Sequence, residues 1–202
     1  MSMKSVAVTI PTLGASHLLD TLSSLPVGLP LYLRDNRVDN WGVARSWNWG
    51  IRQALADGAQ YVLVLNDDVQ LRGDDFIDRL VSDLDKDGVI LVSGRPDHVN
   101  PGPSDARLAM SAFLCDERLF REIGPFDEQF FPAYFEDADM LHRIQRSSWR
   151  TYLDSEAVFH HWVSSTRNEI LGARRTGHSY KVNRERFFKK WGFYPDVNKK
   201  KS

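Results

Sequence analysis

A single cysteine, Cys115, stands among the 202 residues, so no intrachain disulfide can form. That usage suits a reducing compartment, and a cytoplasmic location is expected. It also excludes a cysteine-rich zinc site. No apolar run reaches the roughly 18 residues that a membrane-spanning helix needs. The first residues hold no apolar stretch of the signal-peptide kind. No transmembrane segment is expected. Three motifs of nucleotide and metal chemistry are also missing: a G-x-x-x-x-G-K-[ST] phosphate loop, a G-x-G-x-x-G after the first strand, and H-E-x-x-H. Internal repeats are absent, and low complexity is confined to the lysines at 199–201.

What is present is an ordinary globular balance. Apolar residues make up 42% and charged residues 26%, enough for one full core. The net charge of -1 hides an asymmetry. Residues 1–166 hold 15 basic and 24 acidic side chains, a net of -9; residues 167–202 hold 11 and 3, a net of +8. The expected organisation is one domain over 1–166 followed by a basic, helical appendage over 167–202.

The apolar pattern predicts alternating strands and helices. Val6 to Ile10 reads as a buried strand ended by Pro11. A helix is expected near His17 to Ser24 and a strand at Leu31 to Leu33. Asn40 is a candidate cap for a helix running to Asp57, with Val43, Trp47 and Ile51 on one face. Tyr61 to Leu65 is apolar on both faces, as a central parallel strand is. A helix over about Asp75 to Asp85 and a strand at Val89 to Ser93 follow. The class implied is α/β, with a mostly parallel central sheet sandwiched by helices. Beyond a proline-rich loop from Arg95 to Asp105, a strand is expected at Leu108 to Leu114. Further expectations are a helix from Asp116 to Gly124, one from Glu136 to Gln145, short extended segments around Tyr152 and Val158, and a helical tail from Arg167 to Lys190. The chain from Asn198 is expected to fray.

Ligands of open parallel sheets bind beyond the carboxyl ends of the strands. Three polar clusters fall at such ends: Pro11-Thr12, Asp35-Asn36 and Asn66-Asp67-Asp68. Each alone reads equally as an Asx-turn, but three at one edge point to a ligand. Asp67 and Asp68 repel one another unless a positive charge joins them. Mg²⁺ or Mn²⁺ suits their oxygens and takes further ligands from phosphates. A phosphoryl-enzyme route is disfavoured, because Asn66 stands where the nucleophilic aspartate of such a D-x-D would be. Glu136, Asp137 and Asp139 fill the first turn of a helix, where the helix dipole alone stabilises acids. The aromatic run Phe126, Phe130, Phe131 and Tyr134 just before them offers desolvation, which raises a carboxyl towards the range of a general base. His160-His161 can supply a metal or phosphate contact, and Arg45 a phosphate contact.

Taken in order, these pieces resemble the family 2 glycosyltransferases, of GT-A fold, with a rhamnosyltransferase-like flavour. The resemblance rests on Asp35-Asn36 with Asn40, Gly42, Arg45, Asn48 and Gly50; on Leu63 to Val69 as a strand with a degenerate D-x-D; on Gly124, Phe126-Asp127-Glu128, Phe130-Phe131 and Glu136-Asp137-Ala138-Asp139, with Arg143; and on His160 with Ser164-Ser165. It spans about residues 5–166. It implies an inverting transfer of a sugar from a UDP-, dTDP- or GDP-sugar to an acceptor hydroxyl. Pro11, Thr12, Asp35 and Asn36 then meet the nucleoside, Arg45 the base or diphosphate, and Asn66 and Asp67 the ribose and sugar. Asp68 holds the metal, with His160 as a further ligand. Asp137 is the general base, with Glu136 and Asp139 supporting it or binding the acceptor. With Asn66 in the first D-x-D position, one direct carboxylate holds the metal.

The basic tail interleaves Arg174-Arg175, Lys181, Arg184, Arg186 and Lys189-Lys190 with Tyr180, Phe187, Phe188 and Trp191. It reads as a solvated helix, or as a contact for an anionic acceptor such as a lipid-linked glycan or a hydroxylated base in DNA. The alternative to an enzyme is a non-catalytic nucleotide-sugar or glycan-binding module on the same fold.

Overall fold

The computed structural model describes residues 5–98, 108–162 and 172–195. Most of the proline-rich loop, Ser164-Ser165, the side chains of Arg174 and Arg175, and the chain from Asn198 lie outside the described residues. Seven strands form one sheet: β1 (Val6–Thr12), β2 (Leu31–Asp35), β3 (Tyr61–Leu65), β4 (Val69–Leu71), β5 (Val89–Pro96), β6 (Ala112–Cys115) and β7 (Arg150–His161). Their order across the sheet is β2-β1-β3-β6-β5-β7-β4. The helices are α1 (Leu18–Ser23), α2 (Gly42–Ala56), α3 (Phe76–Leu84), α4 (Glu136–Gln145) and α5 (Gly172–Trp191). Leu119–Ile123 makes one wide helical turn, closed by the Gly124 N–H donating to the Leu119 carbonyl.

The α/β layering follows the apolar pattern. In β3, Tyr61, Leu63 and Leu65 enter the core cluster shared with α3, while Val62 and Val64 enter the cluster shared with α2 and α4. Each fully buried aliphatic side chain there contributes roughly 1.5–3 kcal/mol. Where the pattern predicts a mostly parallel sheet, the sheet is mixed. β1 pairs parallel with β2 and β3, and β5 with β7, but β6 runs antiparallel between β3 and β5, and β4 runs antiparallel to β7. The two extended segments expected near residues 152 and 158 are one strand, and the three-residue β4 was too short to carry a periodic signal.

Pro11 does not end β1. On the β3 side the pairing stops at Thr9, while β2 continues to pair through Thr12. A residue with no N–H is tolerated where the ladder is one-sided. Asn40 sits one position before the cap residue, Trp41, of the helix it was expected to cap, yet its Oδ1 accepts from the Gly42 N–H at 2.8 Å. Gly50 lets α2 lie directly on β1: a Cβ there would come within 1.8 Å of Thr9 Oγ1. These contacts put the α2 N-terminus beside the carboxyl ends of β1, β2 and β3. No helix among the described residues is long and apolar enough to cross a membrane.

Candidate active site

At that edge lies a cleft of about 530 Å³. Pro11, Thr12, Asn36, Asn66, Asp67 and Asp68 line it from the strand ends, joined by His161 of β7 and by Glu136 and Asp137 of α4. The polar strand ends do not play equal parts. Thr12 Oγ1 donates to Asp67 Oδ2 at 2.6 Å, and the Leu13 N–H reaches the same oxygen at 3.3 Å. Asp67 thereby ties the end of β1 to the end of β3. Asn36 performs a similar task on the β2 side. Its N–H donates to the Thr12 carbonyl, its Nδ2 to Ser46 Oγ, and its Oδ1 accepts from the Trp41 N–H. Both side chains are buried.

Asp68 faces a different partner. His161 Nε2 lies 3.1 Å from Asp68 Oδ1, and the Trp162 N–H donates to the Asp68 carbonyl at 3.0 Å. The pairing of Val69 with His161 at the start of β4 sets this register. His160, the residue expected beside Asp68, points the other way and pairs with Asp97 Oδ2 at 2.7 Å. The reason is strand parity. Phe159 belongs to the core on one face of β7, so His161 shares that face and His160 does not. Alternation from Phe159 was the signal that distinguishes the two.

Asp35 and Arg45 do not line the cleft. The Arg37 guanidinium forks onto Asp35 and holds its carboxyl down at about 2, with smaller help from Arg34. Arg45 stacks its guanidinium 4.3 Å from the centre of the Trp41 ring, on which Arg34 also sits at 3.6 Å. Asp139 is fully buried away from the cleft, held by Arg143, Lys190 and Trp191.

Glu136 and Asp137 open the first turn of α4 directly after Tyr134 and Phe135, whose φ angles of 81° and 75° turn the chain through the left-handed region. Asp137 is partly exposed into the cleft, and the Ala138 N–H donates to its Oδ1 at 2.7 Å. Enclosure by protein pushes its carboxyl above the ordinary range, against the backbone N–H groups that lower it. Glu136 is buried, and its Oε2 has no hydrogen-bond partner among the described residues. Burial first, and the neighbouring Asp137 second, push its carboxyl well up. Both carboxyls are thus held towards their protonated forms, Glu136 the more strongly.

No group of three or more His, Cys, Asp or Glu side chains among the described residues is arranged to hold a metal ion. The Asp68 and His161 pair alone offers one carboxylate oxygen and one imidazole nitrogen in the cleft. That donor set suits a divalent cation that draws its remaining ligands from a diphosphate. Sequence reasoning missed several lining residues. Trp47 was read as core and both packs on Phe113 and Phe126 and lines the cleft. Ser111 and Ser179 carried no motif at all.

The model of the family described as "Glycosyl transferase family 2" matches residues 34–146. No curated protein sequence matches the chain. Among solved structures, glucosyl-3-phosphoglycerate synthase from Mycobacterium tuberculosis, in complex with Mn²⁺, UDP and phosphoglyceric acid, aligns at a TM-score of 0.62 and 13% identity, over 97% of this chain and 81% of its own. The catalytic domain of Drosophila β1,4-galactosyltransferase 7, complexed with xylobiose, aligns at 0.58 and 15%, over 83% and 74%. The mannosyltransferase PcManGT from Pyrobaculum calidifontis, in complex with GDP-Man and Mn²⁺, aligns at 0.55 and 14%, over 78% of this chain. The chain spans 56% of the length of that mannosyltransferase. At these identities the likeness is one of fold.

Proposed function

The chain belongs to glycosyl transferase family 2, and from that premise we propose that it transfers a sugar from a nucleoside-diphosphate sugar to an acceptor hydroxyl with inversion at the anomeric carbon. The observation that carries this reading is the meeting in one cleft of the Asp68 and His161 pair with Glu136 and Asp137. The first pair suits the diphosphate end of a donor and the second the nucleophile. Asp68 and His161 would hold a divalent cation, with Mn²⁺ favoured by the imidazole nitrogen. When bound, such a cation supplies counter-charge for the diphosphate.

The chain's own residues do the rest. Asn36 and the Thr12 and Asp67 pair give the nucleoside a rigid floor, because each is already locked by hydrogen bonds. Asp137 accepts the proton of the acceptor hydroxyl as its oxygen bonds to the anomeric carbon and the bond to the diphosphate oxygen breaks. Its raised carboxyl brings its proton affinity nearer to the working pH. Glu136, biased towards its protonated form, can donate a hydrogen bond to a hydroxyl of the acceptor or the sugar.

Three described cations of α5 lend an anionic acceptor no support. Arg186 donates to the carbonyls of Gln129 and Phe131, Lys190 pairs with Asp127 and Asp139, and Arg184 sits over Tyr194 beside Glu185. These cations are engaged by their own chain.

A thermal-stability screen against UDP, GDP and dTDP, with and without Mn²⁺, tests the donor site. Nucleotide at 100 times its dissociation constant stabilises by about 2.7 kcal/mol, or roughly 5–10 °C for a chain of this size. A Mn²⁺-dependent rise with one base is the expected result, and no rise with any of them overturns the reading.

A further inference from the structure

The matched stretch of the family ends at residue 146, yet α5, beginning at Gly172, places Ser179 in the cleft wall and packs against the loop that leads into Glu136. That loop needs to be held. Tyr134 and Phe135 both take left-handed backbone conformations, which cost non-glycine residues on the order of 1–3 kcal/mol each. Phe135 stands at the start of α4 with no side-chain cap. The direction in which Asp137 enters the cleft is therefore set by whatever fixes residues 131–135.

We propose that Asn183 of α5 is a positioning residue that clamps this loop and so aims Asp137 at the acceptor. The inference rests on the reading of Asp137 as the base. Asn183 is fully buried. Its Nδ2 lies 3.3 Å from the Phe131 carbonyl, 2.8 Å from that of Ala133 and 3.2 Å from that of Tyr134. An amide has two N–H groups, so it shares them among three carbonyls that converge on one point. Its Oδ1 accepts from Arg186 Nη1 at 2.8 Å, and the same guanidinium reaches the Gln129 carbonyl at 2.6 Å. The amide is thus itself held from behind.

Apolar packing alone would anchor α5 without a polar group here. Phe187 already meets Phe130 and Phe135, and Tyr180 meets Tyr134 and Phe135. A buried amide is costly unless fully bonded, so its presence marks a demand for direction that aromatic contacts do not meet. On the opposite side, the Val43 N–H at the start of α2 donates to the Pro132 carbonyl at 2.8 Å. Gly42 permits this close approach, since a Cβ there would lie 2.8 Å from the same oxygen. The loop is gripped between α2 and α5.

The test uses the full chain with Asn183→Ser and follows the carboxyl titration of Asp137 by ¹³C NMR, with Asp137→Asn identifying its signal. Glu136 is the ionisable neighbour to follow alongside it. Loosening the clamp admits water around Asp137, so its midpoint moves down by about half to one pH unit, while binding of UDP or GDP with Mn²⁺ stays within about twofold. Where a donor is turned over, the rate per nucleotide-binding site falls by up to about 100-fold, the cost of misplacing a reacting group by about 1 Å. An Asp137 midpoint unchanged in folded Asn183→Ser overturns the proposal. If that variant does not fold, Arg186→Gln, which acts from the surface on the same amide, is held to the same criterion. Wild-type protein that binds neither nucleotide with Mn²⁺ removes the functional reading instead, and the Asp137 titration still decides whether Asn183 sets that side chain's environment.

Discussion

His161 Nε2 and Asp68 Oδ1 come within 3.1 Å because an edge strand of three residues, β4, pairs antiparallel with the end of β7. His160, its neighbour, is committed to Asp97. The two histidines therefore differ in what their loss does. Asp68→Ala and His161→Ala are each expected to weaken Mn²⁺-dependent nucleotide binding at least tenfold, measured by calorimetric titration. His160→Ala should leave that binding within about twofold. A tenfold loss confined to His160→Ala would reverse the assignment.

On the proposed reading, Asp137→Asn removes the proton acceptor and keeps the shape. Transfer should fall by about 10²–10⁴-fold, the usual worth of a positioned base, with nucleotide affinity unchanged. In the wild type, enclosure raises the Asp137 carboxyl. The acidic limb of the rate profile should then lie above the ordinary aspartate value of about 3.9. A limb at or below that value, or near-normal turnover by the variant, assigns the base elsewhere.

Glu136 gives a test on stability alone. Its folded carboxyl is raised, so its burial is tolerated below its unfolded value of about 4.3 and increasingly penalised as pH rises towards the folded value. Glu136→Gln should therefore stabilise the unliganded protein at pH 8 and do little at pH 4, read as a difference in melting temperature. Equal effects at both values would mean that charge is not the cause.

Gly50→Ala tests how closely α2 approaches β1. The added methyl meets Thr9 Oγ1 and Cβ inside contact distance, against a buried strand that cannot move aside. A loss of about 1–3 kcal/mol is expected, and a melting temperature within 1–2 °C of the wild type would show that the helix shifts freely.

What could be read from the residues follows from where local chemistry decides the outcome. The bounds of β3 and α4 came directly from five apolar residues in a row and from the first-turn acids after an aromatic run. The cluster at the strand ends was visible too, but its division of labour came only from the family resemblance, which gave the metal to Asp68. In the fold, the nearness of Thr12 to Asp67 and of His161 to Asp68 separates the two side chains. Asp35 and Arg45, expected as donor contacts, are engaged by their own sequence neighbours, Arg37 two residues on and Trp41 four residues back. The antiparallel insertion of β6 was hidden for a related reason: four buried residues read the same in either direction.

The pairing of Val69 with His161 also has a consequence in time. Chains are synthesised at about 5–20 residues per second, and early segments begin to organise first. Strands β1, β2 and β3 leave the ribosome together with α1 and α2 and can assemble at once. The edge strand β4 follows within a few residues, then waits for β7, the last of the described strands. Until β7 arrives, Asp68 has no imidazole beside it. A nascent chain halted before residue 161 lacks the partner of β4, and on the proposed reading it should not retain Mn²⁺ with nucleotide, because the cation site is completed only with the sheet.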